Sequence, residues 1–187
     1  GLWMAPFAAD QWSQTSKTNQ SWILRYKKGI KTGRPMNSAN CGKFFHCLDV
    51  TNPEVQEYVR KCISTAVSKW KFRYLKLDFL YAAAIEGASM SYHDPRYTQA
   101  MAMNLGLKLI DDTLNANDSV STDSVALESK ESASTSMSPS GSVALLGCGA
   151  PLGSCLGYVH ANRISCDAGL SWFAEFPLPY WDEWNLP

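Results

Sequence analysis

The chain has 187 residues, 45% of them hydrophobic, and its 17 basic and 17 acidic side chains give a formal net charge of zero. That is enough apolar material to bury a sizeable core in one soluble domain or in part of a larger one. The balanced charge argues against an electrostatic nucleic-acid footprint, and no apolar run approaches the roughly 20 residues of a membrane-spanning helix.

Leu2 to Phe7 reads as a short strand ended by Pro6. Residues 8–43 are polar, with turn signals at Lys28-Gly29 and Gly33-Arg34-Pro35 and an apolar anchor at Trp22-Ile23-Leu24. Phe44 to Leu48 reads as a second extended piece. A helix start follows: either Asn52 caps with Pro53 at the first helical position, or Thr51 and Glu54 form a capping box. Val55, Tyr58, Val59, Cys62, Ile63, Ala66, Val67 and Trp70 recur at helical spacing, so that face packs inward. A strand at Tyr74–Leu80 comes next.

Asp94-Pro95 repeats the capping logic and predicts a helix to about Leu114, with Ala102, Leu105, Leu109 and Ile110 among its buried positions. Between residues 116 and 142, ten of 27 positions are serine, and the apolar residues are scattered. That composition predicts a disordered surface insertion within one domain spanning residues 1–187. Strands are expected again at Val143–Leu146 and within Gly157–Ile164. The order strand, helix, strand, helix, strand, strand describes α/β with parallel strands, which suits a βα-barrel piece or a doubly wound sheet. The chain opens at Gly1 and runs directly into Leu2-Trp3-Met4, so it reads as an internal piece of a longer protein.

The most informative chemistry lies in Tyr74-Leu75-Lys76-Leu77-Asp78-Phe79-Leu80. Strand side chains alternate, so Lys76 and Asp78 share one face while Leu75, Leu77 and Phe79 share the other. An ion pair on an otherwise apolar strand costs desolvation free energy, which points to catalysis; the competing reading is a structural pair at a strand end. A second aspartate, Asp167, closes Asn162-Arg163-Ile164-Ser165-Cys166-Asp167. Seven tryptophans suggest aromatic contact surfaces, for which sugars are one suitable ligand class. The six cysteines contain no C-x-x-C pair, and His46, His93 and His160 do not fall at ligand spacing with them, so neither a metal nor a cofactor is expected. The cysteine count leaves disulfides open. Asn19 and Asn117 begin N-x-S sequons of the kind that arise by chance.

Five segments together resemble the α-galactosidases of glycoside hydrolase family 36, the melibiase group. They are Gly1-Leu2-Trp3-Met4-Ala5-Pro6-Phe7, Leu48-Asp49-Val50-Thr51-Asn52-Pro53-Glu54-Val55, Tyr74-Leu75-Lys76-Leu77-Asp78-Phe79, Leu146-Gly147-Cys148-Gly149-Ala150-Pro151-Leu152-Gly153 and Arg163-Ile164-Ser165-Cys166-Asp167. The resemblance implies a partial TIM (β/α)8 barrel, about strands three to six, and hydrolysis of terminal α-galactosides with retention. Asp78 would be the nucleophile on the fourth strand and Asp167 the acid/base after the sixth. Lys76 would favour the charged form of Asp78, while Asp167 must rest protonated. Trp3, Lys76, Cys148 and Arg163 resemble the residues that bind galactose. Retention requires the two carboxyl groups to lie about 5–5.5 Å apart.

The sequence departs from the family pattern where Ser165-Cys166 replaces a common Gly-Pro, and where Asn19-Gln20-Ser21 replaces a His-Pro. The expected partner is an α-galactoside oligosaccharide, with no nucleic acid and no membrane. Related readings are an α-N-acetylgalactosaminidase or an α-galactosyl transferase. A reading from another class is a non-catalytic, sugar-binding or degenerate barrel fragment. The isolated chain, with open strand edges, is expected to be inactive and unstable.

Overall fold

A computed structural model of the chain describes residues 1–27, 29–35, 44–85, 90–122 and 143–164. Four short strands form a parallel sheet: β1 (Leu2–Met4), β6 (Tyr74–Leu77), β8 (Ala144–Cys148) and β9 (Ala161–Arg163), hydrogen-bonded in that order. Each successive strand joins the same advancing edge, with no reversal of direction across the sheet. The architecture is mixed α/β.

The register places Trp3, Lys76 and Leu146 in one row, and Leu2, Leu75 and Leu145 in the row before it. Alternation then sorts the two faces. Leu75, Leu77 and Leu145 are buried in a core shared with Val55, Val59 and Ile63 of helix α2 (Pro53–Ser64) and with Ala102, Met103, Leu107 and Ile110 of helix α3 (Gln99–Thr122). Trp3 is 43% exposed and Lys76 is half-buried, on the opposite face. Helix α3 approaches closely because position 106 is glycine: a Cβ there would stand 2.7 Å from the Phe7 ring. Among the described residues no helix is long and apolar enough to cross a membrane.

A small antiparallel sheet fills part of the segment read as polar turns. Its strands are β2 (Ala8–Asp10), β4 (Gly33–Pro35) and β5 (Phe44–Cys47), with β5 in the middle. A separate two-stranded pairing joins β3 (Arg25–Tyr26) to β7 (Met90–Ser91). Ile23 and Leu24 are buried, as the apolar anchor predicts, and the Trp22 indole donates to Glu54 Oε2 at 2.6 Å.

Asn52, not Thr51, caps α2: its side chain accepts from the Glu54 amide at 2.9 Å. The inward face of α2 holds through Val67, but Trp70 is 58% exposed. The helix widens into a π-type turn at Thr65–Lys69, and the wider turn breaks the 3.6-residue phase that would have carried Trp70 inward. Lys71 then adopts φ +62° to end the element. A side chain there carries left-handed strain that glycine lacks, so Lys71→Gly is expected to stabilise the fold by about 1 kcal/mol in denaturant unfolding.

Helix α3 differs from expectation at both ends. It begins at Gln99 rather than at Pro95, because Arg96 captures the Asp94 carboxylate in a tight turn. The Thr98 hydroxyl accepts from the Met101 amide instead. Leu105 is only half-buried, and Leu107 takes the core position. The helix also continues to Thr122, beyond Leu114, so the first residues of the serine-rich stretch are helical. Residues 123–142 of that stretch lie outside the described residues.

Candidate active site

The end of β6 delivers Asp78 to the sheet face that also carries Trp3 and Lys76. Its amide donates to Met4 O at 2.8 Å, so the ladder to β1 extends one step past the strand. Asp78 is 8% exposed, and its carboxylate is heavily hydrogen-bonded. Trp3 Nε1–H donates to Oδ2 at 2.8 Å, and the Phe79 amide donates to Oδ1 at 2.8 Å. Lys76 Nζ lies 3.8 Å from Oδ2, and the Cys148 thiol bonds the same carboxyl group. Cys148 pairs in register with Arg163 on β9, which sets that guanidinium-bearing residue beside it.

These contacts decide the protonation of the site. Burial pushes the Asp78 carboxyl up, but donors from Cys148, Trp3 and Phe79, with the charge of Lys76, together hold it below its ordinary value. The group is therefore a carboxylate at neutral pH. Cys148 responds in the opposite sense: burial and the adjacent Asp78 raise its thiol to about 12. A raised thiol favours the folded state below its unfolded value, and that contribution is lost as pH climbs towards 12. Cys148 should therefore resist iodoacetamide in the native protein at pH 8, where free cysteine has a pKa of about 8.5, and react only on unfolding, as peptide mass mapping would record.

Of the residues singled out by sequence, the structure brings Trp3, Lys76, Asp78, Cys148 and Arg163 to neighbouring strand ends. Asp167 lies outside the described residues. Trp3 is a surface-facing side chain of the site rather than plain core. Among the described residues no cluster of His, Cys, Asp and Glu could hold a metal ion, and Cys47, Cys62, Cys148 and Cys155 are not joined in disulfides. Asn117 is engaged through its side chain by Ser64, Ser68 and Thr113.

Sequence reasoning missed the loops that hold this group. Phe79 follows the carboxylate with φ +51°, and its ring stands edge-on to Trp3 at 6.1 Å between centroids. The Tyr81 amide donates to Gly149 O at 2.7 Å, joining the loop after β6 to the loop after β8. Gly149 has φ +66°, and a Cβ on it would stand 3.0 Å from the Tyr81 ring. The only signal in the sequence was the Gly147-Cys148-Gly149 run.

No family model matches the chain. Among solved structures it is similar to TtGalA, an α-galactosidase from Thermus thermophilus in complex with stachyose, at 28% identity over 90% of this chain and 28% of that one, with a TM-score of 0.61. The same enzyme in complex with p-nitrophenyl α-D-galactopyranoside matches at 27% identity over 89% of this chain and 27% of that one, with a TM-score of 0.60. AgaA, a family 36 α-galactosidase from Geobacillus stearothermophilus in complex with stachyose, shares the fold at 16% identity over 86% of this chain and 19% of that one, with a TM-score of 0.50.

The class to which the fold is similar is the glycoside hydrolases. More narrowly, the likeness is to the α-galactosidases of glycoside hydrolase family 36, the family that the five sequence segments resemble. The chain spans 28% of the length of the Thermus enzyme.

Proposed function

We propose that this chain is the part of a retaining α-galactosidase that carries the nucleophile, and that its parallel sheet is an arc of a (β/α)8 barrel, about strands three to six. Support for the arc comes from the strand order, which advances along one edge without the reversal that a doubly wound sheet requires. The observation that carries the functional reading is the Asp78 carboxylate. It is held charged at the carboxyl end of β6, on the face shared with Trp3, Lys76 and Cys148. In barrels of this kind the reacting groups sit at those strand ends.

In the proposed mechanism an Asp78 oxygen attacks the anomeric carbon of the terminal α-galactoside. The bond to the leaving oxygen breaks as Asp167 protonates that oxygen, and a covalent β-linked galactosyl-enzyme forms. Asp167, now ionised, removes a proton from water, whose oxygen displaces Asp78 at the same carbon. Two inversions amount to retention. Trp3 offers an apolar surface to the sugar and Lys76 and Arg163 supply donors to its hydroxyls, while the Cys148 S–H, already given to Asp78, orients the nucleophile. The neutral thiol of Cys148 suits a donor, since a thiolate there would repel Asp78.

The test is covalent trapping with a fluorinated galactosyl donor on the complete protein. The expected result is an added mass on the peptide that contains Asp78. Recovery of the peptide unlabelled, with the sugar bound reversibly, would leave a non-catalytic binder. Product analysis with natural oligosaccharides distinguishes free galactose from free N-acetylgalactosamine or a lengthened chain.

A further inference from the structure

We propose that Phe79 is a positioning residue for Asp78: its amide holds Oδ1, while its left-handed backbone turns its ring against the tryptophan that donates to Oδ2. The inference deepens the reading of this site as a galactosidase nucleophile and rests on that reading for its catalytic consequence.

Two observations carry it. Lys71 and Phe79 are the non-glycine residues at positive φ among those described, and only Phe79 adjoins a functional side chain. A bulky residue in the left-handed region is strained, so surrounding contacts must hold it there. The strain has a use at this position. The Phe79 N–H, fixed in the peptide plane it shares with Asp78, donates to Oδ1 at 2.8 Å, and the positive φ then turns the side chain out of that plane towards Trp3.

The ring then fixes the other oxygen. It stands edge-on to Trp3 at 6.1 Å and 83°, and the Trp3 indole N–H reaches Oδ2 at 2.8 Å. Phe45 backs the ring at 5.3 Å, and Tyr81 closes it edge-on at 6.1 Å. Tyr81 is itself tied to the β8 loop through the Gly149 carbonyl. One aromatic residue thereby couples both carboxylate oxygens to the packed interior. A carboxylate held by preorganised donors loses little freedom when it attacks, and misplacement by about 1 Å can cost on the order of a hundredfold in rate.

The experiment compares Phe79→Val, Phe79→Gly and Phe79→Tyr in the complete protein. Valine, branched at Cβ, resists positive φ and lacks the ring. Glycine accepts that backbone and removes only the ring. Two quantities are read: kcat and KM for an α-galactoside, and the titration of the Asp78 carboxyl by carbon-13 NMR. The Val and Gly variants are expected to lose about tenfold to a hundredfold in kcat with KM little changed. Their Asp78 titration should move up towards the ordinary carboxylate range, while Tyr restores both.

Lowered melting temperatures with unchanged kcat and unchanged titration would overturn the proposal and leave Phe79 as packing alone. If the wild-type protein turns over no α-galactoside, the functional reading fails, and the titration still decides whether Phe79 holds the carboxylate. If Phe79→Val does not fold, Phe79→Gly carries the same decision.

Discussion

Exchanging Asp78 for asparagine in the complete protein is expected to lower turnover of an α-galactoside by at least about a thousandfold while leaving the fold intact. The amide has the shape of the carboxylate but no charge, and its nitrogen cannot attack the anomeric carbon. The present oxygens accept from Trp3 Nε1–H and from the Phe79 amide. An asparagine can satisfy only one of these with its oxygen, so a modest stability loss of about 1 kcal/mol accompanies the kinetic one. Asp78→Gly provides the sharper check. With azide present, an azide nitrogen should displace the leaving group directly, giving a β-galactosyl azide and partial recovery of rate. Turnover of Asp78→Asn within tenfold of wild type would assign the nucleophile elsewhere.

Asp49→Ala is expected to destabilise the protein by about 2–4 kcal/mol. Asp49 is buried and accepts from the Thr51 amide at 2.9 Å and the Thr51 hydroxyl at 2.7 Å through Oδ1. Its Oδ2 accepts from the His93 amide at 2.6 Å. Thr51 Oγ1 passes the connection on to the Asp94 amide at 3.1 Å. The carboxylate thus fastens the start of α2 to the loop that enters α3. Alanine would leave the buried Thr51 amide and hydroxyl and the part-buried His93 amide without their acceptor, and a buried orphan costs about 1–3 kcal/mol. Denaturant midpoints measure the loss. Asp49→Asn, which keeps the shape and one acceptor, should lose less.

Both residues lie in segments whose meaning is partly legible in the sequence alone. The alternation in Leu75-Lys76-Leu77-Asp78 predicts the two faces of β6, because strand period and polarity agree at each of those positions. Phe79 breaks the pattern. It departs from the strand through a positive φ that its own side chain disfavours, so no propensity could anticipate it. The capping of α2 was legible as two alternatives, and Asp49 settles the choice by occupying the Thr51 hydroxyl, a competitor that lies outside the capping motif. In the same way Arg96 takes Asp94 away from the helix it was expected to cap.

The small antiparallel sheet was hidden for a different reason. Its strands are three or four residues long and pair across wide stretches of sequence, so periodicity has too few positions to register.

The sequence by itself determined the class of fold, the pair Lys76–Asp78 and the resemblance to family 36 α-galactosidases, because these follow from local pattern and from ordered motifs. Only the tertiary structure decided that Trp3, 75 positions away in the chain, donates to Asp78, and that Cys148 and Phe79 complete its shell. Those contacts depend on parallel strands brought into register and on loops closing over their ends. That geometry is set by packing helices α2 and α3 against the opposite face of the sheet, which no single segment encodes.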